Sequence, residues 1–496
     1  MSHFLTTHTE ISEEIITECL RHQVVPIEVD AQQLTIAAEQ GSALTQVIAQ
    51  LAFTCGRHIK VIDWSRLKVE QHLAQLSQSR PNKSLLEAAR QTEHRASNPE
   101  LITQDKQHDS EPVVLFINQV IRQALQRRAS DIHIEPYSDH CRIRLRIDGA
   151  LQEITSPPLS LAPQLVARLK IMAQLNIAER RQPQDGQLTF HDENQQRALR
   201  ISTIPVSGGE KVVLRVMESG NCQQTISSLG MSPDEQQLYQ AMLHQPQGMI
   251  LVTGPTGSGK TVTLYSGLQQ LNDTSRNICS VEDPIEIPTD GINQTQVNPK
   301  AGITFHHALR AFLRQDPDVL MIGEIRDKET AEIAVEAAQT GHLVLATLHT
   351  NSTSETLLRL SLMGIPEYLL ASSLKLIIAQ RLIRCLCPRC KQKQAQPDIV
   401  HTKQGAVTVY SSQAKGCEHC VGGYYGRTGI YEMMVINDVI KQGLFAKRSV
   451  TELYQLACEQ GMTPLFQSGL SLVERGVTSL SELYRTLGSF SAQSVR

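Results

Sequence analysis

The chain has 496 residues, room for roughly three domains of ~150 residues each, so no disulfide staple is needed to hold a core. Lys+Arg 47 against Asp+Glu 50 leaves a formal charge of −3, with aromatics at only 4%. That balance argues against a nucleic-acid binder, whose domains are basic and carry stacking aromatics. The opening MSHFLTTHTEISEE lacks the basic and apolar regions of a secretory signal, and no run reaches the ~18 apolar residues of a membrane span. The expected location is therefore cytoplasmic.

Residues 1–90 predict a small N-terminal α/β domain. LTQVIAQLAF (44–53) has helical spacing and HIKVIDW (58–64) alternates like a strand. Residues 91–110 are polar and predict a linker. A second domain is expected over 111–216. PVVLFINQVIRQAL is an amphipathic helix; SDIHIEP (130–136) and RIRLRIDGALQEI (142–154) alternate as strands. RALRISTIPVSGGEKVVLRVM is a hairpin with Gly208 and Gly209 at its turn. Asp131, His133 and Glu135 share one face of their strand like a metal triad, but strand periodicity accounts for them more simply. Residues 217–230 are small and polar, a second linker.

Over 231–384 the pattern changes. The apolar runs MILVT (249–253), ICSV (278–281), VLMIG (319–323) and LVLAT (343–347) alternate with helical stretches. Buried runs separated by helices predict a parallel sheet in an α/β domain. Residues 385–430 hold a cysteine cluster, and 431–496 predict amphipathic helices.

The strongest chemical signal is Gly254-Pro255-Thr256-Gly257-Ser258-Gly259-Lys260-Thr261. It fits G-x-x-x-x-G-K-[ST], follows the strand MILVT and precedes the helical VTLYSGLQQL, which is the context a phosphate loop needs. Its glycines let backbone N–H groups curl around a phosphate, and the helix start adds positive dipole. Lys260 is expected on the β- and γ-phosphates and Thr261 on Mg²⁺.

Phosphoryl transfer also needs an acid for the metal and an oriented water. VLMIG ends in Glu324, where an Asp is usual one position earlier, and ICSV ends in Glu282. Both stand at carboxyl ends of buried strands, where ligands of α/β sheets bind. Glu324 is expected to hold Mg²⁺ or its water; Glu282 is a second candidate to polarise the attacking water, and the sequence leaves open which does so. LVLATLH puts His349 at a third strand end, with His342 just before that strand.

Eleven cysteines cannot all pair. Cys387-x-x-Cys390 and Cys417-x-x-Cys420 form two knuckles suited to tetrahedral Zn²⁺ in a closed structural site, in a reducing compartment. Redox activity is the rival reading, and the neighbouring Cys385 is a substitute ligand.

In order, GPTGSGKT, SVEDPIE, RQDPDVLMIGEIRD and QTGHLVLATLHT resemble the secretion ATPases that drive type II secretion and type IV pilus assembly. ASDIHIEP, RLRIDG, RRQPQDG and RISTIP upstream, and QRLIRCLCPRC and YGRTGIYE downstream, extend the resemblance over about 111–435. It implies a RecA-like ATPase core preceded by a PAS-like α+β domain, with ATP, Mg²⁺ and Zn²⁺ as cofactors. It implies a homo-hexameric ring, peripheral at the inner membrane. Residues 1–110 would dock secretion or pilus platform proteins, so membrane contact comes through partners and there is no direct contact with nucleic acid. The family's arginines that complete each nucleotide site map to Arg200, Arg215, Arg310 and Arg314. Its Asp box maps to Glu282–Glu286 and its His box to His342–His349. The zinc pair and the long N-terminal region argue against the retraction branch. Type II secretion is the leading expectation, pilus assembly or DNA uptake the alternative, and a nucleic-acid translocase an unfavoured third.

Overall fold

The structure is a computed structural model. It describes residues 112–192, 195–217, 225–393, 410–412 and 416–488, together with parts of 19–72. The expected linker 91–110 and most of the helix expected at 44–53 lie outside the described residues. Two compact units are present, one of residues 1–146, 151–189 and 199–215, the other of 147–150, 190–198 and 216–496.

In the first unit, β1 (Val25–Val29), β2 (Gln33–Glu39) and β3 (His58–Trp64) form a three-stranded sheet. Leu34, Ile36 and Ile59 alternate onto its buried face. A separate six-stranded sheet contains β4 (Ala129–Pro136), β5 (Cys141–Ile147), β6 (Ala150–Thr155), β7 (Gln184–Asp192), β8 (Gln195–Val206) and β9 (Gly209–Val216). Its spatial order is β6-β5-β4-β9-β8-β7. In β5 the apolar Cys141, Ile143, Leu145 and Ile147 are buried, while Arg142, Arg144 and Arg146 take the other face. The helix Pro112–Gln126 packs on β4.

The second unit is built on seven strands. These are β10 (Gly248–Thr253), β11 (Ile278–Glu282), β12 (Asn293–Gln296), β13 (Val319–Ile322), β14 (Leu343–Leu348), β15 (Leu374–Leu386) and, after a short pair β16 (Gln392–Lys393) and β17 (Tyr410–Ser411), β18 (Tyr424–Val435). The order is β12-β11-β13-β14-β10-β15-β18. Every pairing is parallel except β15 with β18. Met249 and Leu251 face one core, Ile250 and Val252 the other. Burial on both faces is why these strands are continuous apolar runs rather than alternating ones. The residue numbers 384/385 and 430/431, where the sequence suggested breaks, both fall inside strands of this sheet. Beyond β18 come the helices Asp438–Phe445, Val450–Glu459, Leu465–Glu474 and Leu480–Leu487. Among the described residues no helix is long and apolar enough to cross a membrane.

Candidate functional site

β10 ends at Thr253 and the loop 254–259 leads straight into the helix Lys260–Leu271. Gly254, Gly257 and Gly259 all have positive φ, at 151°, 77° and 87°, conformations that side-chain-bearing residues resist. A Cβ on Gly254 would lie 2.5 Å from Ser258 Oγ and 2.6 Å from Gln380 O, so the loop also lacks room for one. The helix begins at Gly259 without a side-chain cap, which leaves its first N–H groups available to an anion.

Lys260 is only 9% exposed and donates to Gly254 O at 2.9 Å and Pro255 O at 3.3 Å. Burial pushes its ammonium down to about 8; Arg381 acts in the same direction and Glu324 opposes. Ser258 Oγ is buried and has no hydrogen-bond partner among the described residues. An orphaned hydroxyl, a lysine whose hydrogen bonds among the described residues go to its own loop, and uncapped helix amides fit a phosphate chain. Thr261, half-buried in the first turn of the same helix, is the hydroxyl available to an accompanying Mg²⁺.

Glu324 and His349, expected from two different strands, come together: His349 Nε2 lies 3.5 Å from Glu324 Oε2. The other Glu324 oxygen accepts from Arg326. Burial, then the charge of Lys260, lowers the His349 pKa, so the imidazole is neutral near pH 7. At Gly323, where an Asp is usual, a Cβ would meet Val281 O at 3.2 Å and Glu282 Cα at 3.3 Å, a tight fit in this strand end.

Glu282 faces other partners. It is 3% exposed; Oε2 accepts from Tyr265 Oη at 2.6 Å, and Oε1 from Ser280 Oγ at 2.7 Å and Gln294 Nε2 at 3.2 Å. Its carboxylate is committed to this neutral network, whereas Glu286 at the far end of the SVEDPIE loop is exposed. The His box also divides. His342 Nδ1 bonds Ala337 O at 3.0 Å, at the opposite end of β14 from His349. His342 is thus a helix-end contact, while His349 stands at the other end of the strand.

The four arginines differ. Arg310 and Arg314 are exposed on and just after the helix Phe305–Phe312, and among the described residues neither meets a carboxylate; Arg314 donates to Arg310 O. Arg200 is exposed on β8. Arg215 on β9 donates to Asp131 Oδ1 at 2.9 Å. Asp131 also meets Arg146, and Glu135 meets Arg142, Arg144 and Lys211. The Asp131–His133–Glu135 row therefore has its carboxylates occupied by cations and holds no metal ligand set.

Cys387, Cys390, Cys417 and Cys420 converge, their Sγ atoms all within 4.8 Å of one another. The shorter separations are 3.8, 3.5 and 3.6 Å. A tetrahedron of ~2.3 Å Zn–S bonds has edges of ~3.8 Å, while a disulfide needs ~2.05 Å. The donor set fits Zn²⁺. Burial opposes ionisation at Cys387, Cys390 and Cys420; backbone N–H groups of Arg389 and Cys390 overcome it at Cys387, whereas Cys390 and Cys420 are pushed up. A divalent cation is what lets all four ionise together. Cys385 lies outside the cluster, its thiol pushed up to about 11 by burial. His419 stacks on Tyr425 at 4.2 Å.

Residues 106–485 match the family model described as type II/IV secretion system protein. The chain belongs to that family. It is 45% identical over 470 residues, 95% of this chain and 97% of the relative, to the "Protein transport protein HofB homolog" of Escherichia coli. It is 49% identical to the type IV pilus assembly ATPase PilB of Pseudomonas aeruginosa, over 76% of this chain and 68% of PilB. It is 46% identical to the type II secretion system protein E of Dickeya dadantii, over 76% of each chain. Among solved structures, the Legionella pneumophila ATPase DotB aligns with a TM-score of 0.57 at 20% identity, covering 78% of this chain and 97% of DotB. The pilus retraction motor PilT, solved with ADP, aligns with a TM-score of 0.50 at 26% identity, covering 76% and 98%. The second unit is thus a RecA-like core, and this family member is an ATP-hydrolysing enzyme.

Periodicity had no means of flagging Gln380. It is 1% exposed on β15, donates to Ser258 O at 2.8 Å and accepts from Thr263 Oγ1 at 2.9 Å. It seats the phosphate loop from more than a hundred residues away in sequence. Tyr265 and Gln294, around Glu282, and Arg326, on Glu324, are equally invisible before folding.

Proposed function

We propose that this chain is a ring-forming motor of type II secretion, hydrolysing ATP to add pilin-like subunits at the inner membrane. The observation that carries the reading is the phosphate loop facing the Glu324–His349 pair inside this family's core. Support for secretion comes from the near full-length match to a relative named for protein transport. The 49% identity to a pilus assembly ATPase favours a second reading, type IV pilus assembly.

Residues of the chain divide the work as follows. The loop amides from Gly254 to Thr261 bind the phosphates, and Lys260 leaves its loop carbonyls to neutralise them. Bound MgATP supplies the phosphoanhydride to be split. Thr261 and Glu324 would hold the magnesium; Glu324 and His349 orient the water. The Tyr265–Glu282–Gln294 network holds the neighbouring strand end against Gly323. Arg310 and Arg314, which meet no carboxylate among the described residues, and Arg200 are available to a nucleotide's terminal phosphate in a homo-hexamer. Arg215 must first leave Asp131, which links its use to movement of its domain. Cys387, Cys390, Cys417 and Cys420 would hold structural Zn²⁺ between β15 and β18. Residues 1–110 would dock the membrane platform, keeping the motor cytoplasmic and peripheral.

Lys260→Ala in the full chain is expected to abolish ATP turnover; unchanged turnover would refute the site. Cross-linking the full-length protein in native membranes tests the pathway. Recovery of a type II secretion platform protein supports the first reading, and a pilus platform protein the second. Strong stimulation of turnover by single-stranded DNA would count against both.

A further inference from the structure

The geometry points to Arg381 as a second same-chain cation for the nucleotide's terminal phosphate, parked on Asn351 until that phosphate arrives. The inference rests on the nucleotide-site reading above and deepens it.

Arg381 follows Gln380 on β15, two residues past the Ala379–Thr253 register pair, at the carboxyl edge of the sheet. Its Nη1 donates to Gln380 O at 3.0 Å. That same oxygen lies 2.6 Å from where a Cβ on Gly254 would stand. The guanidinium is therefore beside the first glycine of the phosphate loop, whose carbonyl holds Lys260. Its Nη2 donates to Asn351 Oδ1 at 3.0 Å and Asn351 O at 3.3 Å. Asn351 lies two residues past His349, which touches Glu324. Thr350, between them, bonds Thr253 at the end of β10. Arg381 is thus tied to the segment that faces the bond to be split.

Among the described residues no carboxylate lies within 4 Å of the guanidinium, and Asn351 offers only neutral oxygens. Glu355 and Glu432 act on it from further away, while burial lowers its pKa. Lys260 and Arg381 also repel each other: the charge of Arg381 lowers the Lys260 pKa. Two neighbouring cations, one buried and one half-buried, that form no ion pair among the described residues and feel carboxylates only from further away, are costly until an anion arrives. The planar fork of arginine matches a phosphate's oxygens, which Asn351 satisfies only as a neutral substitute. Engaging the terminal phosphate releases Asn351, so the 349–351 segment distinguishes ATP from ADP.

The test measures equilibrium binding of a fluorescent non-hydrolysable ATP analogue and of fluorescent ADP, with Mg²⁺, to the full-length chain. Thermal unfolding verifies that each variant is folded. Arg381→Ala is expected to bind the ATP analogue about tenfold more weakly and ADP within about twofold of the parent. Arg381→Lys is expected to recover part of the loss. Asn351→Ala, which removes the parking contact but no charge, is expected to leave ATP-analogue binding within about twofold. No loss in Arg381→Ala, an equal loss for both nucleotides, or the same loss in Asn351→Ala would each overturn the inference. Lys260→Ala separates the two levels: if it binds both nucleotides normally, the nucleotide-site reading itself fails. If it loses both while Arg381→Ala loses neither, only the role of Arg381 fails.

Discussion

The Lys260 ammonium carries a pH dependence that can be worked through. Its ordinary pKa is near 10.4, and in the free protein burial takes it down to about 8. A bound phosphate supplies the missing anion and restores the charge. The free-state pKa is depressed and the bound-state pKa raised, so nucleotide binding takes up a proton, and affinity is full below pH 8 and lost above it. If only the ammonium form binds, the dissociation constant scales as 1 + 10^(pH − 8). The factor is about 1.1 at pH 7, about 2 at pH 8 and about 11 at pH 9, so affinity falls about tenfold between pH 7 and 9, or ~1.4 kcal/mol. Titrating the nucleotide analogue alone under the same Mg²⁺ supplies the correction for ionisation of its own terminal phosphate. Titrating a fluorescent non-hydrolysable ATP analogue at pH 7, 8 and 9 and constant ionic strength measures this directly. Calorimetry in buffers of different ionisation enthalpy is expected to count about half a proton taken up at pH 8. Lys260→Arg, always charged, should flatten the profile. A dissociation constant independent of pH from 7 to 9 in the parent chain would refute the argument that burial holds this lysine near neutrality.

Glu324→Gln is expected to lower kcat by about 10²–10³ while leaving ATP-analogue binding within a few-fold, since it removes a charge used in the chemical step; single-turnover hydrolysis separates the two. Reduced purified protein should carry about one zinc per chain, and Cys417→Ser should lose it with a fall in Tm; metal analysis showing none in folded parent protein would remove the zinc site. Glu482, with a side chain fully buried between Arg384 and Arg485, is held down to about 2 by those guanidiniums against the cost of its burial. A depressed carboxylate stabilises above its unfolded pKa, and the contribution is lost as pH falls. Allowing for the half-exposed Arg485, urea unfolding should register a loss of ~2–3 kcal/mol between about pH 4.5 and 2. Glu482→Gln should lack that slope; parallel pH profiles for parent and variant would contradict the assignment.

How much could be read before folding follows the physics of each element. β10, β11, β13 and β14 were legible because strands buried on both faces are short uninterrupted apolar runs. β12, the edge strand Asn293-Gln294-Thr295-Gln296, has no apolar residue to betray it. β15 and β18 were missed because one mixes charged with apolar residues and the other follows the cysteine segment, and only their mutual pairing makes them a ladder. The glutamates at two strand ends looked equivalent in sequence. Folding gave Glu324 to Arg326 and His349, and Glu282 to Tyr265, Ser280 and Gln294.

Local chemistry was therefore already settled along the chain: a glycine pattern that curls amides around phosphate, two cysteine knuckles with metal spacing, and apolar runs that demand a covered sheet. These depend on residues close in sequence, whose geometry the backbone nearly dictates. Which carboxylate meets the histidine, which of two histidines reaches the nucleotide edge, and which distant strand delivers Gln380 and Arg381 to the loop were decided by folding. Those contacts join strands that are neighbours in the sheet but far apart in the chain, and the periodicity of a single strand carries no record of what is packed beside it.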